Sequence, residues 1–210
     1  MRTRALIRRL VSSISFFEFF DMRDLDFNPN NLPKDVLEAL GLITACSAHS
    51  DYVIESGIAG CLGVNIEYGS AVTTHMTTPH RKDVFLAAAE LRIDDVHILI
   101  HLEDLLDELV DALKVRNGYV HNSPAIDRST NETFMIRTEA RGSVDVSLIP
   151  LSVEVILRDA QRIYKAGISL YGLLDKLGLL PKIPDGVRPN RTHKDKAARK
   201  KIRKSRRDRG

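Results

Sequence analysis

The chain has 210 residues, 43% of them hydrophobic, and 31 Lys and Arg against 28 Asp and Glu give a formal charge of +3. That length supports one good hydrophobic core and argues against a second independent domain. Cys46 and Cys61 form neither a disulfide framework nor a zinc site, and no run reaches the roughly eighteen consecutive apolar residues of a membrane span. A reducing, cytoplasmic setting without cofactor or metal is therefore the expectation.

Residues 1–30 read as an N-terminal extension. Met1 to Arg9 is basic and Leu10 to Phe20 mostly apolar, but Glu18 interrupts the run and no small-residue cleavage site follows. The segment is either poorly ordered or an amphipathic docking element anchored by Phe16, Phe17, Phe19 and Phe20.

Residues 31–180 carry the folded domain. Asn28 to Pro33 is turn chemistry and opens a helical pattern from about Lys34 to Leu62, made imperfect by Gly41, Gly57 and Gly60 and ended by Gly63 and Asn65. A short helix is predicted over about Ser70 to Met76 and another over Arg81 to Arg92, with His75 and His80 in the loop between them. Asp94 or Asp95 caps the next helix, which runs to Val120. Its polar face carries His97, His101, Asp104 and Glu108, and one exposed stripe of this kind does not assemble a closed metal shell.

Alternation of Phe134, Ile136 and Thr138, and again of Val144, Val146 and Leu148, predicts two strands joined at Arg141-Gly142. A two-stranded ribbon does not stand alone, so it should lie on the helices. Ser152 caps a last helix to about Leu177, with Val155, Ile156, Ile163, Ile168, Leu170, Leu173, Leu174 and Leu177 as its apolar surface. The fold class is mainly α: an up-and-down four-helix-type bundle with a β-hairpin inserted before the last helix.

Residues 181–210 form a basic tail expected to be disordered. Residues 191–210 hold eleven Lys and Arg against Asp195 and Asp208, a charge of +9 that leaves −6 on residues 1–190. Lys194, Lys196, Arg199, Lys200, Lys201, Arg203, Lys204, Arg206, Arg207 and Arg209 would attract phosphates by counterion release, without sequence preference. The stretch has no aromatic side chain, so base stacking is not expected from it. The other reading is a solubilising tail.

Chemistry concentrates at Arg116-Asn117-Gly118-Tyr119-Val120-His121, the end of the Asp95–Val120 helix. At 100° per residue Ile98, Leu102, Leu105, Leu106, Leu109, Leu113 and Val120 share a band that also contains Arg116 and Asn117. Asn117 and His121, four apart, share a face; Arg116 stands about 140° from His121 and must reach to join it. A guanidinium in an apolar stripe needs an anion, a polar network or a subunit interface. Tyr119 is either packing or a surface for a base.

The arrangement resembles the HEPN superfamily, whose motif is an Arg, a polar residue and, a few positions on, a His at the end of a bundle helix. The resemblance covers about residues 34–178. It implies a bundle that dimerises to join two motif copies in one cleft, and in catalytic members metal-independent RNA cleavage, with toxin–antitoxin or phage-defence roles. It assigns His121 as general base or acid, Arg116 to the phosphate, and Asn117 to orienting the imidazole or bonding the phosphate. Two departures stand out: Gly118 weakens the helix and permits a sharp turn, and Asn122 stands where members often carry a small residue. The expected function is a metal-independent endoribonuclease acting by 2′-hydroxyl attack, a homodimer that binds RNA and a cognate antitoxin or other partner protein. The alternative is a non-catalytic RNA- or protein-binding or dimerisation module, and a third reading leaves Arg116 as a purely structural tie.

Overall fold

The computed structural model describes residues 24–140, 144–181 and 193–208. Residues 1–23 of the extension, with its four phenylalanines, and the Arg141-Gly142 turn lie outside them. The elements in order are β1 (Leu25–Asp26), α1 (Lys34–Cys61), α2 (Ile66–Thr73), α3 (Thr78–Glu90), α4 (Val96–Val120), β2 (Ser123–Asp127), β3 (Thr133–Ala140), β4 (Val144–Pro150), α5 (Val153–Lys176) and α6 (His193–Arg207). A 3-10 turn, Pro29–Asn31, precedes α1 and is capped by the Asn28 side chain.

Local chemistry sets the helix ends. Asp95 caps α4 by accepting from the backbone N–H of His97 and Ile98, and Ser152 caps α5 by accepting from Val155 N–H. Gly63, at φ +65°, lets the chain turn away after α1 in a conformation that a side chain disfavours. The short helix begins earlier than expected, at Ile66, and His80 belongs to the first turn of α3 because Pro79 initiates that helix.

The core fills the space between α1, α4 and α5, with α2 and α3 packed against α1 and α3 also against α4. Ile43, Ile54 and Ile58 of α1, Phe85 of α3, Leu102, Leu106 and Leu109 of α4, and Ile156, Ile163, Leu170 and Leu174 of α5 are fully buried. The α4 stripe holds through Leu113, but Ile98 and Leu105 are half-buried and Val120 is 47% exposed, since the last turn projects past the core. Val155 and Ile168 of α5 are likewise exposed rather than core.

The expected hairpin is part of a larger sheet. Four antiparallel strands lie in the order β1-β2-β3-β4, with Ile136 opposite Leu148 and Thr138 opposite Val146. Leu25 and Asp26, inside the N-terminal extension, pair with Asp127 and Ile126. Ile136, Val146 and Leu148 of the alternating set group apart from the helical core. Ile136 packs with Leu25, Ala125, Val146 and Leu148 in a small core of its own, so the ribbon is stabilised by extra strands. The opposite face, with Met135, Arg137 and Ile149, forms a cleft with the end of α4 and the start of α5.

In the tail, His193–Arg207 is helical. Ile202 is exposed, and ten of the fifteen residues of this helix are Lys, Arg or Asp in the sequence. Among the described residues no helix is long and apolar enough to cross a membrane.

Candidate functional site

The motif helix runs straight through Gly118 to Val120, and no sharp turn occurs there. His121 is the C-cap: its N–H donates to the Asn117 carbonyl at 3.1 Å, and the Asn122 amide donates to Gly118 O at 2.7 Å. Asn122 therefore closes the end of α4, a task that a small residue does not perform.

The structure separates the three motif side chains. Asn117 and His121 are both exposed and both line a cleft of about 690 Å³ at this end of the bundle. Its other walls include Lys114, Tyr119 and Asn122 of the α4 end, Met135, Arg137 and Thr138 of β3, Ile149 at the end of β4, and Ser152, Val155 and Ile156 at the start of α5. Every charged group among the lining residues is basic. Sequence reasoning missed Lys114 and Arg137; their signals were a position one turn before Asn117 and the polar alternate of the apolar β3 pattern.

Arg116 does not line this cleft. Its offset around the helix carries it to the opposite flank, where Nη2 donates to Asp51 Oδ2 of α1 at 3.3 Å. Arg81 of α3 shares that carboxylate, donating from Nη1 to Oδ1 at 3.0 Å, and also bonds Thr73 O from Nε at 3.3 Å and pairs with Glu55 at 3.7 Å. Ser70 Oγ of α2 donates to Glu55 at 3.1 Å. Four helices thus meet in one polar cluster. Burial pushes the Asp51 carboxyl above the usual carboxylate range, and Arg81 and Arg116 act against that shift. The expected reach of Arg116 toward His121 is replaced by a tie to Asp51 of α1.

Tyr119 serves packing rather than an open stacking surface. It rests against the bundle core, and its hydroxyl donates to Asp159 Oδ2 of α5 at 2.7 Å. Burial, and then this carboxylate, raise its phenol well above the usual value. The cleft wall is fixed to α5 by that bond.

The remaining candidates lie apart. His97, His101, Asp104 and Glu108 are exposed on α4, and among the described residues no three His, Cys, Asp or Glu converge as metal ligands. Cys46 and Cys61 are free and buried, and burial raises Cys61 to about 11, which keeps it a thiol. In the tail, Lys200, Lys201, Arg203, Lys204 and Arg207 are exposed on α6; Lys194, Lys196, Arg199 and Arg206 belong to the same helix, and Arg209 lies outside the described residues. A second hollow of about 380 Å³ between α1 and α5, where the His49 and Tyr164 rings sit 6.0 Å apart, holds no Lys or Arg. A scan of protein-family models gave no match, and neither the curated proteins nor the solved structures gave one.

Proposed function

We propose that this protein is a metal-independent endoribonuclease of HEPN type, acting in the cleft that holds Asn117 and His121. The observation that supports it is the exposed Asn117–His121 pair, one helical turn apart in a cleft whose charged lining groups are all basic. A phosphodiester suits such a cleft, and an imidazole, which can both accept and donate a proton, suits proton transfer there. His121 takes the proton of a ribose 2′-hydroxyl, the 2′-oxygen attacks phosphorus, and the P–O5′ bond breaks. The departing 5′-oxygen takes a proton, and a 2′,3′-cyclic phosphate remains. Dimerisation, as the HEPN resemblance implies, provides one imidazole for each transfer.

The basic tail recruits RNA to a body whose own charge is −6 over residues 1–190. A toxin or defence role, with a cognate antitoxin or partner protein, follows from the resemblance alone. The second reading is a non-catalytic RNA- or protein-binding module. It is favoured by the commitment of Arg116 to Asp51, which is what a structural tie looks like.

The deciding experiment incubates wild type, Arg116→Ala and His121→Ala with total RNA and a chelator, then assays 2′,3′-cyclic phosphate ends. Cleavage by wild type that is lost in His121→Ala, with an unchanged melting curve, supports the nuclease. Folded dimeric wild type that leaves the RNA intact refutes it. Deleting residues 191–210 should flatten the salt dependence of RNA binding; an unchanged slope removes the tail as recruiter.

A further inference from the structure

The C-terminal helix α6 concentrates positive charge on a regular scaffold. Nine of its fifteen residues are Lys or Arg, and one, Asp195, is acidic. At 100° per residue the nine positions spread over about 240° of the helix surface, and the remaining sector belongs to Asp195, Ala198, Ile202 and Ser205. Within the arc Lys200, Lys201, Arg203, Lys204 and Arg207 are exposed. We propose that α6 binds a double-helical nucleic acid along a groove, with the cations at both edges of its arc meeting the phosphates of both strands. This rests on the reading of the tail as the part that recruits RNA, and it names the form of nucleic acid that the tail selects.

Charge density favours paired strands. At about 1.5 Å per residue the fifteen residues of α6 span about 22 Å. One strand of a helix offers a phosphate about every 3.4 Å, about six or seven over that length, whereas a duplex offers one about every 1.7 Å, about thirteen. Nine cations outnumber the phosphates of one strand and are matched only by two. The arc agrees with this count. A strand lying on one side of a helix faces at most about half its circumference, so part of a 240° arc is left in water; two strands flanking the helix use both edges. In that pose the cation-poor sector, with Asp195, turns away from the phosphates. A helix with its side chains is about 10–12 Å across, which a B-form major groove of about 12 Å admits; in A-form RNA the reachable phosphates are those that border the wide minor groove. Residues 191–210 also lack the Phe, Tyr or Trp platforms on which unpaired bases are held.

The test uses the full chain and three fluorescent probes of one sequence, about 20 nucleotides per strand: an RNA duplex, one of its strands alone, and a DNA duplex. The RNA carries 2′-O-methyl riboses, so that no cleavage intervenes, and anisotropy is read across salt concentrations. The RNA duplex should bind at least about tenfold more tightly than the strand, and log K should fall against log salt with a slope of about −6 to −7, for seven or eight phosphates, against about −3 to −4 for the strand. Lys194→Gln with Lys201→Gln removes one edge of the arc, and Arg199→Gln with Arg206→Gln removes the other. Each pair should make the duplex slope shallower by about 2. Ala198→Pro keeps every charge but breaks the helix, and should erase the preference for duplex. The inference is overturned if the strand binds as tightly as the duplexes, if either pair is silent, or if Ala198→Pro keeps the preference. Binding of the DNA duplex in place of the RNA duplex supports the inference and refutes RNA recruitment. If deleting residues 191–210 leaves every slope unchanged, the tail is not the recruiting element, and the inference falls with that reading.

Discussion

Arg116 and Arg81 hold the two oxygens of one carboxylate, Asp51, from two different helices, at 3.3 and 3.0 Å. The two contacts are unequal. Arg81 is 13% exposed and adds bonds to Thr73 O and Glu55, whereas Arg116 contributes one longer contact and is 25% exposed.

That inequality sets the first prediction. Arg81→Ala strands a half-buried pair of carboxylates and should cost about 2–3 kcal/mol; Arg116→Ala should cost about 1 kcal/mol. Because burial raises the Asp51 pKa in the fold, the folded state binds its proton more tightly than the unfolded chain. The cost of its charge is fully present above the folded pKa and fades as pH falls toward the unfolded value. Urea denaturation should therefore show a smaller Arg81→Ala deficit near pH 4 than at pH 7. Equal deficits at the two pH values would refute the account.

Tyr119 gives the second. Its hydroxyl bond to Asp159 ties α4 to α5 beside the cleft, and Tyr119→Phe should lose about 1–2 kcal/mol, as a hydrogen bond to a charged acceptor does. The phenol is raised in the fold, so the native state keeps a proton that the unfolded chain loses near pH 10; stability falls as pH rises past that value. Ultraviolet titration of wild type should show a late phenol that ionises only with unfolding, and Tyr119→Phe should lack it.

Much of this frame was legible in the sequence, and the losses have physical causes. Asp95 and Ser152 cap as expected because capping is local: a side-chain oxygen reaches backbone N–H groups two or three residues away. The β3 and β4 alternation identified the strands but not their partners. β1 is two residues long, and its pairing with β2 spans about a hundred positions that no local pattern encodes. At the site, helical spacing put Asn117 beside His121 correctly. It could not show where Arg116 turns, because that depends on Asp51, 65 positions earlier in the chain. Arg137 was hidden in the same way, as a strand residue whose opposite wall is another element.

Asp127 supplies the third prediction. In the β2–β3 turn its Oδ1 accepts from Ser129 Oγ at 2.6 Å, Ser129 N–H at 2.7 Å and Thr130 N–H at 3.1 Å, which lowers its pKa below the ordinary 3.8. A depressed carboxylate contributes stability that is present above its unfolded pKa and lost as pH falls through the folded one. Asp127→Asn keeps an acceptor but cannot titrate. Wild type should therefore lose stability more steeply than this variant below pH 3.8, and parallel acid limbs in denaturant titrations would exclude the turn as a contributor.

Glycines in the two long helices should respond oppositely to alanine. Gly60 lies in α1 where the chain leaving α5 crosses it, and a Cβ there would fall 1.5 Å from the Leu179 carbonyl oxygen, a backbone atom that cannot swing aside. Gly60→Ala must push the crossing segment off α1 and should cost about 3 kcal/mol, at the upper end for overpacking. Gly118 is exposed in the last turn of α4 and a Cβ there meets nothing within 4 Å. Its φ lies outside the left-handed region, so the only effect of Gly118→Ala is to reduce the freedom of the unfolded chain and improve helix propensity, a gain of about 0.5–1 kcal/mol. Thermal melts should place the two variants on opposite sides of wild type, Gly60→Ala lower by roughly 6–12 °C and Gly118→Ala higher by about 2 °C. A Gly118→Ala variant that melts below wild type would mean that α4 is not regular through the motif, and the placement of Asn117 and His121 in one cleft would fall with it.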